Sequence, residues 1–214
     1  MKQGLLTVQW GRSTLKNILL IMVLLFSVSS FAKEKPTRLL VWGDSLSAAY
    51  GIPIEKGWVS LLQNEYKNIT VINGSISGET TQGGLTRLPD VLKKYRPNIV
   101  LIELGANDGL RGLAIKRMRE NLQSMIEAAQ KAGAKVILAG MKIPPNYGFK
   151  YTQLFEKTYV ELATKYKISL IPFLLADIAD KFELVQADGL HPTAEAQVII
   201  LQNVREFVDG VLVD

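Results

Sequence analysis

Arg38-Leu-Leu-Val-Trp-Gly-Asp-Ser-Leu-Ser47 is apolar from Leu39 to Trp42 and then breaks at Gly43. Apolar residues in unbroken succession, without alternation, predict a strand covered on both faces, here over Arg38–Gly43. Outward along the chain the pattern returns at Ile69–Asn73, Ile99–Gly105, Lys135–Gly140 and Ile168–Phe173. The gaps carry helical periodicity. Ile115, Met118, Leu122, Met125, Ile126 and Ala129 form one apolar stripe, and Phe155, Tyr159, Leu162 and Tyr166 form another. Leu85, Leu88, Leu92 and Tyr95 keep the period between the second and third strands, where Pro89 is expected to break the helix in two. Val198, Leu201, Val204 and Val208 mark a final helix. Strand and helix alternating in this way predict one α/β domain, a three-layer α/β/α sandwich around a five-stranded parallel sheet.

The first 32 residues stand apart from this pattern. Lys2, Arg12 and Lys16 precede an apolar run, Ile18–Ala32, that ends in Ser30-Phe31-Ala32, with small residues at the −3 and −1 positions. This is the pattern of a secretory signal peptide, with cleavage expected after Ala32. The run is shorter than the roughly 20 residues of a spanning helix. Residues 1–32 are therefore read as a leader, residues 33–214 as the functional domain, and the protein as periplasmic or secreted.

Without the leader the net charge falls from +5 to +2, because three basic residues and no acidic ones leave with it. Such a near-neutral chain gives no reason to expect a nucleic-acid partner. No later segment is long or apolar enough to predict membrane insertion. The sequence has no cysteine and one histidine, which excludes disulfides, cysteine nucleophiles and a zinc site of ordinary composition.

In an open α/β sheet, ligands bind beyond the carboxyl ends of the strands. Ser45 follows the first expected strand, Gly78 the second and Asn107 the third. His191 lies between the fifth and the final helix. All four fall on one edge of the sheet.

Each segment has a chemical reading and a plain one. In Gly43-Asp44-Ser45 the glycine allows a sharp exit from the strand, and Ser45 is expected at a helix N-terminus with its N–H free for an oxyanion. Serine and aspartate also cap helices without further role. In Asn73-Gly-Ser-Ile-Ser-Gly78-Glu-Thr80, Gly78 offers a second N–H, although the segment also reads as a loop with Thr80 capping a helix. In Gly105-Ala-Asn107-Asp-Gly109 the Asn107 carboxamide offers a third donor, or the segment is an ordinary turn. In Asp188-Gly-Leu-His191-Pro192 the carboxylate is placed to take the Nδ1–H of the imidazole, leaving Nε2 for a serine. As the only histidine, His191 is the only available imidazole base.

Taken together, Gly-Asp-Ser-Leu-Ser, Ser-Gly-Glu-Thr, Gly-Ala-Asn-Asp and Asp-Gly-Leu-His resemble, in this order, the motif blocks of the SGNH hydrolases, also called GDSL esterases. The resemblance runs from about Thr37 to Phe207. Asn73-Gly-Ser-Ile-Ser-Gly78, Glu103–Gly112 and Pro145-Asn-Tyr-Gly148 are closest to the periplasmic multifunctional thioesterase/lysophospholipase branch of Gram-negative bacteria. The resemblance implies a flavodoxin-like fold with Ser45 as nucleophile, His191 as base and then acid, and Asp188 orienting the histidine. It implies an oxyanion hole of the Ser45 and Gly78 N–H groups with the Asn107 side chain. Two residues depart from the family's habit. Ala49 stands where glycine is frequent and Trp42 where a smaller aliphatic is, and both are expected to reshape the wall near Ser45.

The implied activity is hydrolysis of fatty acyl esters and thioesters, small-molecule substrates, with no metal and no organic cofactor, by a monomer. Asp44, Leu46, Pro145 and Tyr147 are candidate substrate-binding residues, and the loop Lys142–Tyr151 is the candidate for shaping an acyl pocket. Two alternatives remain at this level: a carbohydrate O-deacetylase or short-chain arylesterase of the same family, and a non-catalytic binding module on the same fold.

Overall fold

The computed structural model describes residues 36–213. The expected leader, residues 1–32, lies outside the described residues. Five strands and six helices follow in the order β1 (Thr37–Gly43), α1 (Trp58–Glu65), β2 (Ile69–Asn73), α2 (Thr81–Tyr95), β3 (Ile99–Glu103), α3 (Ala106–Leu110), α4 (Ile115–Lys131), β4 (Lys135–Ala139), α5 (Phe149–Tyr166), β5 (Ser169–Ile171) and α6 (Gln197–Val213). All strands pair in parallel, in the order β2-β1-β3-β4-β5. This is the flavodoxin-like order, whose strand direction of winding reverses between β1 and β3 and opens a crevice there.

The apolar runs explain the layers. β3 is buried at every position, β1 from Leu39 to Gly43 and β4 from Val136 to Ala139. Helices α2, α4 and α5 pack in succession over one face, and α1 and α6 pack together over the other. Each aliphatic side chain fully buried in this way contributes about 1.5–3 kcal/mol relative to an exposed one. Trp42 lies on the α2 side, its indole N–H donating to the Gly84 carbonyl (3.3 Å) and the Arg87 guanidinium 4.1 Å over its ring. A Cβ on Gly74 would lie 2.7 Å from that ring, so glycine there makes room for the indole.

Three expectations need correction. Pro89 does not divide its helix: α2 continues through it. Pro89 is on the exposed side, where water can serve the carbonyl that loses its N–H donor, while Leu88 and Leu92 are buried. Val198 is half exposed, and the inward face of α6 is Ile200, Leu201, Val204, Val208 and Val211. The third and fifth strands end two residues earlier than expected. After Glu103 the chain bends through Gly105 (φ 120°) into α3, and β5 is only Ser169–Ile171.

Candidate active site

The segment after β1 is a succession of turns rather than the helix expected after Ser45. Ala48 N–H bonds to Asp44 C=O and Tyr50 N–H to Ser45 C=O, but apart from one 3-10 turn at Ile54–Lys56 no helix begins before Trp58. Ser45 sits on this turn at the carboxyl edge of the sheet. His191 arrives from the segment between β5 and α6, which folds back on itself: Val185 and Pro192 pair as an isolated bridge, and Gln186 N–H donates to His191 C=O at 2.7 Å.

His191 Nε2 stands 2.8 Å from Ser45 Oγ, and His191 Nδ1 stands 2.6 Å from Asp188 Oδ2. A carboxylate only accepts, so the ring proton belongs on Nδ1 and Nε2 is free to take the serine proton. Asp188 Oδ1 accepts from the N–H groups of Leu190 (2.9 Å) and His191 (3.0 Å). The His191 main-chain bond, followed by its ring and the Leu190 N–H, holds the Asp188 carboxyl down at about 2.

The candidate oxyanion donors come from three loops. The N–H groups of Ser45 and Gly78 donate to no acceptor among the described residues. Gly78 has φ 79°, a conformation that favours glycine. Its loop is fixed on both sides. Thr80 caps α2, and the Gly78 carbonyl accepts from Arg111 Nη2 at 2.9 Å. Asp108 is turned to the start of α2 and accepts from Thr81 N (2.8 Å) and Thr81 Oγ1 (2.6 Å). Its neighbour Asn107 donates one carboxamide hydrogen to Asp44 Oδ2 at 2.9 Å, which leaves a second N–H to offer.

Asp44 lines the cleft floor, but both of its oxygens are occupied, Oδ1 by Leu46 N–H (3.0 Å) and Oδ2 by Asn107. Burial raises its carboxyl to about 6. Beneath it, Glu103 is fully buried. Desolvation first, and the neighbouring Asp44 second, push Glu103 well above the usual carboxylate range. Of two carboxyls this close, burial and the neighbouring carboxyl disfavour the charge more at Glu103 than at Asp44.

Beside Ser45 and His191 opens a cleft of about 440 Å³, walled largely by Leu46, Leu110, Ile143, Phe173, Leu175 and Ile178. Pro145 also lines it. Tyr147 does not: its hydroxyl donates to the Leu110 carbonyl at 2.8 Å, and Tyr151 does the same to Leu113. Only the first part of the Lys142–Tyr151 loop faces the cleft, and the last part is already α5.

The family model described as "GDSL-like Lipase/Acylhydrolase family" matches residues 41–199. The chain belongs to the GDSL-like lipase/acylhydrolase family. It is 46% identical over 193 residues to the arylesterase of Vibrio mimicus, covering 88% of this chain and 96% of that one. It is 38% identical over 172 residues to the thioesterase 1/protease 1/lysophospholipase L1 of Escherichia coli, covering 80% and 83%. The crystal structure of the psychrotrophic esterase EstA from Pseudoalteromonas sp., inhibited by monoethylphosphonate, superposes with a TM-score of 0.80 at 43% identity, covering 83% of this chain and all of that one.

Within this GDSL fold neither Trp42 nor Ala49, both expected to reshape the wall near Ser45, lines the cleft. Trp42 is committed to α2, and Ala49 packs toward Gly57. Sequence reading also missed several site residues. The Tyr50 ring lies against the His191 imidazole, centroids 4.3 Å apart. Gln186 Nε2 donates to the Tyr50 and Pro192 carbonyls, both at 2.9 Å, and so ties the histidine loop to the serine turn. Neither carries a local signal. Glu103 does: it is the one charge in the run Ile99–Leu104.

Among the described residues no three acidic or imidazole side chains gather as a metal site requires, and no helix is long and apolar enough to cross a membrane.

Proposed function

We propose that this GDSL-family ester hydrolase works through an acyl-enzyme on Ser45 and takes fatty acyl esters and thioesters. Ser45 Oγ attacks the acyl carbonyl as His191 Nε2 takes its proton. The tetrahedral oxyanion is held by the Ser45 and Gly78 N–H groups and by Asn107 Nδ2. Collapse expels the alcohol or thiol, which leaves with the proton from His191, and a water activated by the same imidazole releases the acid. Asp188 holds the tautomer and balances the imidazolium charge.

The observation that carries this reading is the Asp188–His191–Ser45 sequence of contacts at 2.6 and 2.8 Å. The apolar cleft beside it supports an acyl chain as the part of the substrate that is bound. Sites of roughly 300–1,000 Å³ with few polar groups suit such a ligand. The leader reading stands beside this proposal: export with removal of residues 1–32 leaves Lys33 as the first residue, which mass measurement of the exported protein checks.

The test is hydrolysis of p-nitrophenyl esters from acetyl to palmitoyl, beside Ser45→Ala. Turnover that requires Ser45 and rises with chain length supports the fatty acyl reading. A maximum at acetyl moves the assignment to a deacetylase or short-chain arylesterase. Turnover retained by Ser45→Ala overturns the mechanism.

A further inference from the structure

β3 is built of Ile99, Val100, Leu101 and Ile102 and then ends on an acid that is 0% exposed. A carboxyl in such a place costs stability unless its contacts offset the burial. Glu103 forms no ion pair among the described residues. Its Oε2 accepts from Ser47 Oγ at 2.7 Å and from Asp44 N–H at 3.3 Å. Its Oε1 is buried with no hydrogen-bond partner.

The two donors bracket Ser45 in sequence, one residue before it and two after. Gly43 pairs with Glu103 across the β1–β3 register, and a Cβ there would lie 2.5 Å from Oε2 and 2.8 Å from Ser47 Oγ. The serine turn is thus seated directly on this carboxyl. From Asp44 the contacts continue to Asn107 Nδ2 at 2.9 Å. One buried group therefore touches the turn that carries the serine and, through Asp44, reaches the carboxamide that faces the oxyanion.

We propose that Glu103 is a positioning residue for the acyl-transfer site, fixing the Ser45 turn and the Asn107 carboxamide relative to one another. The proposal rests on the reading of Ser45 as nucleophile and Asn107 as oxyanion donor. Burial and the Asp44 carboxyl beside it both oppose a negative charge on Glu103. What it supplies is a fixed acceptor. Preorganisation of this kind is felt in the transition state and leaves ground-state binding alone.

The test is steady-state kinetics on one p-nitrophenyl ester, with folding followed by circular dichroism. Glu103→Gln, which keeps an acceptor toward Ser47 and Asp44, is expected to hold kcat within about threefold. Glu103→Met, similar in volume but without the acceptor, is expected to lose roughly 10- to 100-fold in kcat with KM within twofold. In an Asn107→Ala background the Glu103→Met loss should shrink at least threefold, because the group it positions is gone. Should Glu103→Met fail to fold, Ser47→Ala removes one of the two contacts and is expected to lower kcat about fivefold or more at constant KM. Wild-type turnover by Glu103→Met or, where that variant does not fold, by Ser47→Ala overturns the proposal, as does a strictly additive double variant or an inactive Glu103→Gln. Ser45→Ala, run alongside, separates this failure from the other: if it keeps turning over, the nucleophile reading has failed first.

Discussion

Asp188 spends one oxygen on the His191 ring and the other on the main chain of the same residue, at 2.6 and 3.0 Å. The carboxylate thus fixes both the imidazole and the loop that carries it. Its pKa of about 2 lies below the ordinary 3.8, so its stabilising contribution is complete above 3.8 and is lost as pH falls through 2. The thermal-stability gap between the wild type and Asp188→Asn should be constant near neutrality, narrow below pH 4 and close near pH 2. Asp188 stays ionised wherever a neutral histidine is available, so it does not set the acid limb of the rate profile. Asp188→Asn should lower kcat by roughly 10²- to 10⁴-fold, since an amide in its place favours the wrong tautomer. Thermal scans and pH–rate curves of the pair check both statements.

Asp44 holds the Asn107 carboxamide by one N–H, and the other is the proposed oxyanion donor. Asn107→Ala should reduce kcat by about 10²- to 10³-fold, the usual loss for one oxyanion donor, with KM little changed. A rise in KM at constant kcat would make Asn107 a substrate-binding residue instead.

Asp44 titrates in the opposite sense to Asp188. Burial lifts it to about 6, so the folded state is favoured while Asp44 is protonated, and that advantage is lost as pH rises from about 4 through 6. Asp44→Asn cannot ionise. Its stability relative to wild type should therefore climb between pH 4 and pH 6 and be level on either side. Melting temperatures across pH 3–8 read this directly; a flat difference would mean that Asp44 is not the group that ionises.

The strands were legible because burial on both faces demands unbroken apolar runs, and β1, β2 and β4 begin or end within a residue of expectation. Ser45, Gly78, Asn107 and His191 could be singled out as candidates because each falls in a motif block that follows a strand toward one edge of the sheet. The supports were not. Gln186 and Tyr50 act on each other across 136 residues, a relation that only the folded bridge Val185–Pro192 creates. The far wall of the cleft, Leu175 and Ile178, belongs to irregular turns after β5 that carry no period to read. Asp44 does line the cleft, yet sequence cannot say that each of its oxygens also accepts from the protein, one from Leu46 and one from Asn107.

The cleft makes chain length a quantitative probe. Each methylene that enters an apolar site is worth about 0.8 kcal/mol, or roughly fourfold in kcat/KM, until the space is filled. Ala179 lies exposed on the rim of the cleft, where added volume does not overpack the core. Ala179→Phe should shift the preferred p-nitrophenyl ester to a shorter chain and leave the acetyl ester unaffected. Equal loss on all chain lengths would mean that the acyl chain lies elsewhere.

Ala49 is the residue that stands where the family often has glycine, and its φ is 57°. An L-residue in that conformation costs about 1–2 kcal/mol, which favours replacing it. Two terms oppose the replacement. Glycine returns about 0.4–1 kcal/mol of freedom to the unfolded chain. The methyl itself is buried against Gly57, and losing it forfeits roughly 0.8 kcal/mol. The terms nearly cancel, so Ala49→Gly should change stability by less than about 1 kcal/mol and leave kcat as it is, because the methyl does not face the cleft. Ala49→Val should behave differently. A β-branched side chain resists positive φ, and its extra carbons meet the Gly57 backbone, so a loss of about 2 kcal/mol or more is expected. Urea unfolding of the three proteins separates the cases: a large gain from Ala49→Gly would mean that strain, not packing, dominates this turn.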